Sequence, residues 1–189
     1  MRLPIVAYGD PVLRKKAVDI TADYPELDKI IENMYDTMSG ANGIGLAAPQ
    51  IGLPIRLFVI DASAYDENDV QLKNLKKVFI NAVILDESGE KWDFNEGCLS
   101  IPDIREDISR NQNLTISYYN QQWEHLKETY NGLAARIIQH EYDHIEGKLF
   151  IDKLSPLRKT LLKKRLDAIS KGQIKVDYKM KFPVLKKRR

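Results

Sequence analysis

Two histidines four residues apart, with a glutamate directly after the first, make up the run His140-Glu141-Tyr142-Asp143-His144. Residues i and i+4 of an α-helix lie one turn apart on the same face. Both imidazoles can therefore grip one metal ion while Glu141 stands beside it as a proton acceptor. That is the anatomy of metal-assisted hydrolysis. Only three histidines occur in the 189 residues, and two of them are spent on this single turn.

A catalytic site of this kind takes three protein ligands and keeps a fourth position for water. In one protease class the pattern continues as HExxHxxGxxH, but here Gly147 fills the glycine position and Phe150 the last one. No glutamate follows Glu146, so a ligand from a later helix would have to be Asp152, Asp167 or Asp177, all weak candidates. Upstream, the sole cysteine, Cys98, lies in Glu96-Gly97-Cys98-Leu99-Ser100-Ile101-Pro102, a glycine-flanked turn leading into an extended segment. A lone cysteine is ordinarily a small buried hydrophobe. Beside a two-histidine site that lacks a ligand, the thiolate becomes the better reading, and S, N, N donors suit zinc or ferrous iron. A third segment, residues 43–52, carries Gly43, Gly45 and Gly52 and lacks the lysine and hydroxyl of a phosphate loop. Its glycines let backbone approach a ligand closely. Gln50, set among apolar residues, needs a hydrogen-bond partner if buried.

Together the three segments resemble the peptide deformylase family, whose hallmarks GxGLAAxQ, EGCLS and HExDH stand intact and in order at 43–50, 96–100 and 140–144. The resemblance takes in residues 5–14 and runs to about Ser155 and Pro156. It implies a hydrolase that removes the N-formyl group from the formyl-methionine of nascent polypeptides and releases formate. The metal ligands would be Cys98, His140 and His144, and Glu141 would be the general base and acid for water attacking the formyl carbon. Gln50 and the backbone N–H of Leu99 would stabilise the oxyanion. Substrate would lie extended along Gly43, Ile44 and Gly45, near Glu96 and Gly97, with Arg105 meeting its backbone. Leu133 and Ile137 would wall an apolar methionine pocket. Arg136 falls on nearly the same helix face with its orientation open, and Asp143 is read as structural, paired with Arg110. The resemblance implies Fe2+ as the working cofactor, with Zn2+ or Ni2+ as substitutes. Two rivals remain: a zinc endopeptidase using Asp152 as third ligand, and a non-catalytic ribosome-binding protein stapled by metal.

The elements that must position these residues imply an α+β fold, with small mixed or antiparallel β-sheets packed around a central metal-binding helix and a C-terminal helix. Helical spacing of Leu27, Ile30, Ile31, Met34, Tyr35 and Met38 predicts a helix over 25–39. Strands are predicted at 55–60 and 78–85, with an irregular surface loop between 61 and 77 that turns helical near 70–75. A strand pair at 114–119 and 123–130 follows, carrying an exposed, inert His125, and leads to the metal helix over 133–146, stopped by Gly147. Ser155 and Pro156 open a last helix to about Ser170, in which Leu157, Leu161, Leu162, Leu166 and Ile169 form the docking face.

Composition is that of an ordinary globular chain, 43% hydrophobic and 30% charged. One catalytic domain is expected over 1–172, followed by a basic tail, 173–189. From Lys153 onward 14 lysines and arginines face two acids, a local charge of +12 within a formal net of +2. That region reads as an anchor for a polyanion, and the resemblance makes the ribosome the partner. Removing the tail is then expected to weaken ribosome association and spare small-peptide turnover. With one cysteine, no signal peptide and no long apolar run, the expected location is cytoplasmic, with neither membrane nor DNA as partner.

Overall fold

An unbroken apolar run such as Leu57-Phe58-Val59-Ile60 needs cover on both faces if it is to be a strand. The architecture provides it. The structure, a computed structural model, describes residues 1–66 and 69–183. In chain order the elements are β1 (Ile5–Val6), α1 (Leu27–Gly40), β2 (Gly45–Ala47), β3 (Leu57–Asp61), α2 (Val70–Lys73), β4 (Lys76–Cys98), β5 (Ile101–Tyr119), β6 (His125–Asn131), α3 (Gly132–Ile145), α4 (Pro156–Ser170) and β7 (Met180–Lys181). Strands β2 to β6 form one antiparallel sheet in the order β2-β3-β4-β5-β6, and β1 pairs in parallel with β7. The fold is α+β.

Successive side chains of a strand point to opposite faces, so β3 serves two cores at once. Leu57 and Val59, with Val78 and Ile80 of β4, meet Leu27, Ile31, Met34 and Met38 of α1. Phe58 and Ile60, with Phe79, face the other way onto Ala134, Ala135, Ile138 and Ile145 of α3. Helix α3 is thus clamped by the sheet, and its metal-binding turn is held by buried apolar surface on either side of the polar residues. Gly147 ends it at φ +71°, where a Cβ would press on the Arg14 carbonyl. A third cluster joins Ile101, Ile104 and Ile108 of β5 to Leu162, Leu166 and Ile169 of α4.

Three expectations shift. First, β4 and β5 are far longer than the predicted strands, because residues 86–98 pair with 101–115 as a hairpin arm. Residues 86–91 are exposed throughout, and in β5 the buried face of Ile104 and Ile108 is interrupted by the buried charges of Glu106 and Arg110, which blurs the apolar alternation. Second, Leu157 and Leu161 of α4 are 70% and 60% exposed, and only Leu162, Leu166 and Ile169 dock. Third, the chain beyond 172 is no detached tail. Met180–Lys181 pairs with β1, and Ile174 and Phe182 pack on the third cluster. Residues 184–189 of the expected tail lie outside the described residues. Among the described residues no helix is long and apolar enough to cross a membrane.

Phe79 is fully buried, stacks on Phe58 at 4.6 Å and meets Tyr118 at a tilt of 39°, 4.3 Å between ring centroids. Phe79→Ala is expected to cost about 3–5 kcal/mol in denaturant unfolding. A loss under about 1 kcal/mol would show that this stack does not anchor the sheet beneath α3.

Candidate active site

Helical spacing brings His140 and His144 to one face of α3, with ring centroids 5.2 Å apart. Cys98 arrives from the end of β4, where the register with β5 shifts between Gly97 and Cys98. Its Sγ lies 3.3 Å from His144 Nε2. One ligand atom from each of Cys98, His140 and His144 falls within 4.8 Å of the others, and these three form a group able to hold a metal ion. A sulfur and two ring nitrogens are donors that zinc and ferrous iron accept. Asp152, the third ligand of the endopeptidase reading, is committed elsewhere: its Oδ2 accepts from Arg14 Nη1 at 2.5 Å and from Leu149 N at 2.8 Å.

Behind the ligands lies a buried polar network that joins the hairpin to the helix. Glu96, only 6% exposed, accepts from His140 Nδ1 at 2.9 Å, from Arg110 at 2.7 and 3.0 Å, and from Arg136 Nη1 at 2.7 Å. Arg110 also donates to Asp143 Oδ2 at 2.7 Å. The bond to Glu96 fixes the proton on Nδ1 of His140 and turns Nε2 toward the Cys98 side, the usual outer support of a ligating histidine. The Glu96 carboxylate is thus engaged by His140, Arg110 and Arg136, while the residue also lines the cleft. Arg136, left open by the sequence, is 2% exposed. It donates to Glu96, to the Ile108 carbonyl and to the Trp92 carbonyl, with its guanidinium 4.3 Å over the Trp92 ring.

Burial sets the protonation pattern. It pushes the Glu141 carboxyl up to about 7 against the pull of His140 and Arg110. Burial also opposes charge on Glu96, yet hydrogen bonds from His140 and Arg110 outweigh it and hold that carboxylate well below the usual range. The same opposition at His140 is overcome by its bonds to Cys98 and Glu96, which lift it to about 10. His144 goes the other way, held neutral by burial and by the positive charges of His140 and Arg110. Glu141 Oε2 and His144 Nδ1 are buried with no hydrogen-bond partner among the described residues.

A cleft of about 640 Å³ opens over the group. Its lining comes from three stretches: Gly43, Ile44, Gly45 and Gln50; Gly97, Cys98, Leu99 and Arg105; and Leu133, Ile137, His140 and Glu141 of α3. Thirteen of the fourteen expected residues thus line one cleft, Glu96 among them, and His144 sits beneath it. Two glycines are closely approached by cleft side chains. A Cβ on Gly45 would collide with the Glu141 carboxylate, and one on Gly43 would lie 2.8 Å from Leu99 Cδ1. Gln50 Oε1 accepts from Ala47 N at 2.8 Å, which turns Nε2 toward Cys98 Sγ at 3.5 Å and Ser100 Oγ at 3.3 Å. Arg105 is tied to Asn95, through its side-chain oxygen at 2.8 Å and its carbonyl at 2.6 Å. Lys175, Val176, Asp177 and Tyr178, which no motif marks, also line the cleft. A signal was present: apolar Ile174, Val176, Tyr178, Met180 and Phe182 alternate with polar residues, as in a strand with one buried face.

Two histidines and a cysteine around a buried glutamate, carried by a sheet-clamped helix at the base of a cleft, define a metal-dependent hydrolase of the HExxH kind. The family model for polypeptide deformylase matches residues 2–160. The chain is 58% identical to a peptide deformylase of Christiangramia forsetii and 56% to one of Flavobacterium psychrophilum, each over the whole of both chains. Among solved structures, a peptide deformylase from Legionella pneumophila is 36% identical, with a TM-score of 0.79 over 92% of this chain and 98% of its own. One from Thermotoga maritima is 40% identical, with a TM-score of 0.73 over 82% and 99%. The chain belongs to the polypeptide deformylase family, metal-dependent hydrolases that remove the N-formyl group from nascent peptides.

Because Glu96 neutralises two buried guanidinium groups and orients a histidine, Glu96→Ala is expected to weaken metal binding about 10–100-fold. It should also cost about 3–5 kcal/mol of stability by leaving buried charge unpaired. Metal titration and denaturant unfolding of the variant test both, and parental values in each would remove the positioning role.

Proposed function

We propose that Cys98, His140 and His144 hold one Fe2+ ion, with Zn2+ or Ni2+ as substitutes, and that this chain deformylates the N-terminal formyl-methionine of nascent polypeptides. The observation that carries the reading is the convergence of those three donors beside the buried, partly unpaired carboxylate of Glu141. The donor set admits zinc and ferrous iron alike, and the choice of iron rests on the family resemblance. A bound divalent cation supplies Lewis acidity that brings the pKa of water from 15.7 toward ~7.

The reaction adds water across the formamide C–N bond, giving formate and a free methionyl amine. Glu141 accepts the proton that the attacking water gives up and returns it to the departing nitrogen. A carboxyl lifted toward neutrality by burial suits that double task. As the carbonyl oxygen gains charge, two neutral donors receive it: Gln50 Nε2, already aimed by the Ala47 bond, and the backbone N–H of Leu99. Strand β2 is the edge of the main sheet, so the 43–45 segment can take an extended peptide as an added strand. Leu133 and Ile137 offer apolar surface to methionine, while both Nη groups of Arg136 are bound to Glu96, Ile108 and Trp92. Arg105 at the rim and Gly97 beside it are placed to meet the peptide backbone.

The test is formate release from a formyl-methionyl peptide, run anaerobically with iron and again with zinc. Glu141→Ala is expected to retain metal and lose about 10²–10⁴-fold in turnover. Unchanged turnover would exclude Glu141 as the proton carrier and favour a metal that merely staples the fold.

We further propose cytoplasmic location, in line with a single cysteine, and ribosome association through the basic C-terminal region, from α4 through the residues beyond 183. Lys159, Lys163 and Lys164 are exposed on α4 next to Leu157 and Leu161. Co-sedimentation with ribosomes should weaken steeply as salt rises, and more so after charge reversal of Lys163 and Lys164. Salt-independent binding, or none at low salt, would rule out the electrostatic anchor.

A further inference from the structure

The segment after α4 returns across the molecule with one face inward. Ile174, Val176, Tyr178, Met180 and Phe182 are half-buried, and Lys175, Asp177, Lys179 and Lys181 between them are exposed. Backbone bonds fasten it: Ile5 N donates to the Lys179 carbonyl at 2.8 Å and Ala7 N to the Lys181 carbonyl at 2.9 Å. From this position Tyr178 reaches the turn that follows Cys98, where its hydroxyl donates to the Leu99 carbonyl at 2.8 Å. The next carbonyl, that of Ser100, accepts from Tyr8 N at 2.9 Å. The two residues directly after the sulfur ligand are therefore held from outside by the two ends of the chain. Residues 175–178 meanwhile line the cleft together with residues of α3.

We propose that residues 175–178 form a wall of the substrate cleft, and that Tyr178 is a positioning residue that fixes the Leu99 backbone. This rests on the reading of Leu99 as an oxyanion donor. A peptide N–H directed at developing charge helps only if its orientation is set before substrate arrives. The Leu99 carbonyl lies in the adjoining peptide plane, and by holding it Tyr178 restrains the two Leu99 torsions that separate that plane from the N–H. The ring of Tyr178, like the side chain of Leu99, packs against the α1 core cluster, so hydroxyl and ring perform separable tasks. A truncation after Gly172 then impairs peptide turnover, contrary to the expectation from sequence that it would be spared.

The test compares Tyr178→Phe and Tyr178→Ala with the parent, each iron-loaded as the full chain, on a formyl-methionyl tripeptide. Tyr178→Phe keeps the ring and is expected to lower kcat about three- to tenfold, with KM, metal content and melting temperature unchanged. Tyr178→Ala also opens the wall and is expected to raise KM. Parental kcat in Tyr178→Phe, or a kcat loss that follows metal content or melting temperature, overturns the positioning role. Parental KM in Tyr178→Ala overturns the wall. A parent enzyme that releases no formate overturns the reaction assignment instead, so the two failures are distinguishable.

Discussion

The buried carboxylate of Glu96 is the interaction on which the site depends. It belongs to β4, its partners Arg110 and Arg136 come from β5 and α3, and its fourth bond orients His140. Burying a lone carboxylate costs far more than a domain can spare, so the position is tenable only with every lone pair engaged. That requirement works in both directions. The guanidinium groups need Glu96 as much as it needs them, and the mutual need locks the register of a long, largely exposed hairpin against the helix. Cys98, two residues further along β4, is delivered to the histidines by the same lock.

Apolar packing and polar bonding divide the labour. The α1 and α3 cores press on opposite faces of β3 and β4 and fix where α3 lies. They are non-directional and say little about its rotation. Rotation and depth are set by Asp143–Arg110 and by Arg136, which reaches through to the Ile108 and Trp92 carbonyls. With the helix so fixed, Glu141 approaches β2 closely enough that a Cβ at 45 would collide with its carboxylate. A glycine written into the cleft is thus a consequence of a helix orientation decided on its far side.

What the sequence disclosed follows the range of the interactions involved. The i, i+4 spacing of His140 and His144 is a property of any helix, and α1, α3 and α4 were readable from periodicity and caps because those signals are local. Asp143–Arg110 was open to inference, as a buried acid on the metal helix needs a cation. The bonds of Glu96 were not readable because its three partners are 14, 40 and 44 residues away and meet only in the folded hairpin. In the arm formed by 86–98 and 101–115 the inward positions alternate apolar Ile104 and Ile108 with charged Glu106 and Arg110, so the period was masked by the same buried charges that build the site. The C-terminal segment is a different failure. Its alternation was visible, but a run of lysines drew the reading toward charge and away from period.

Burial and charge together explain the protonation pattern of the site. In the network behind Cys98, His140 and His144, the cations Arg110, Arg136 and Lys153 face the carboxylates of Glu96 and Asp143. Burial lifts the Glu141 carboxyl to about 7; against burial, bonds to Cys98 and Glu96 lift His140 to about 10; and burial with the nearby positive charge keeps His144 neutral. Metal ligands must be deprotonated, so a divalent cation held by Cys98, His140 and His144 would compete there with protons.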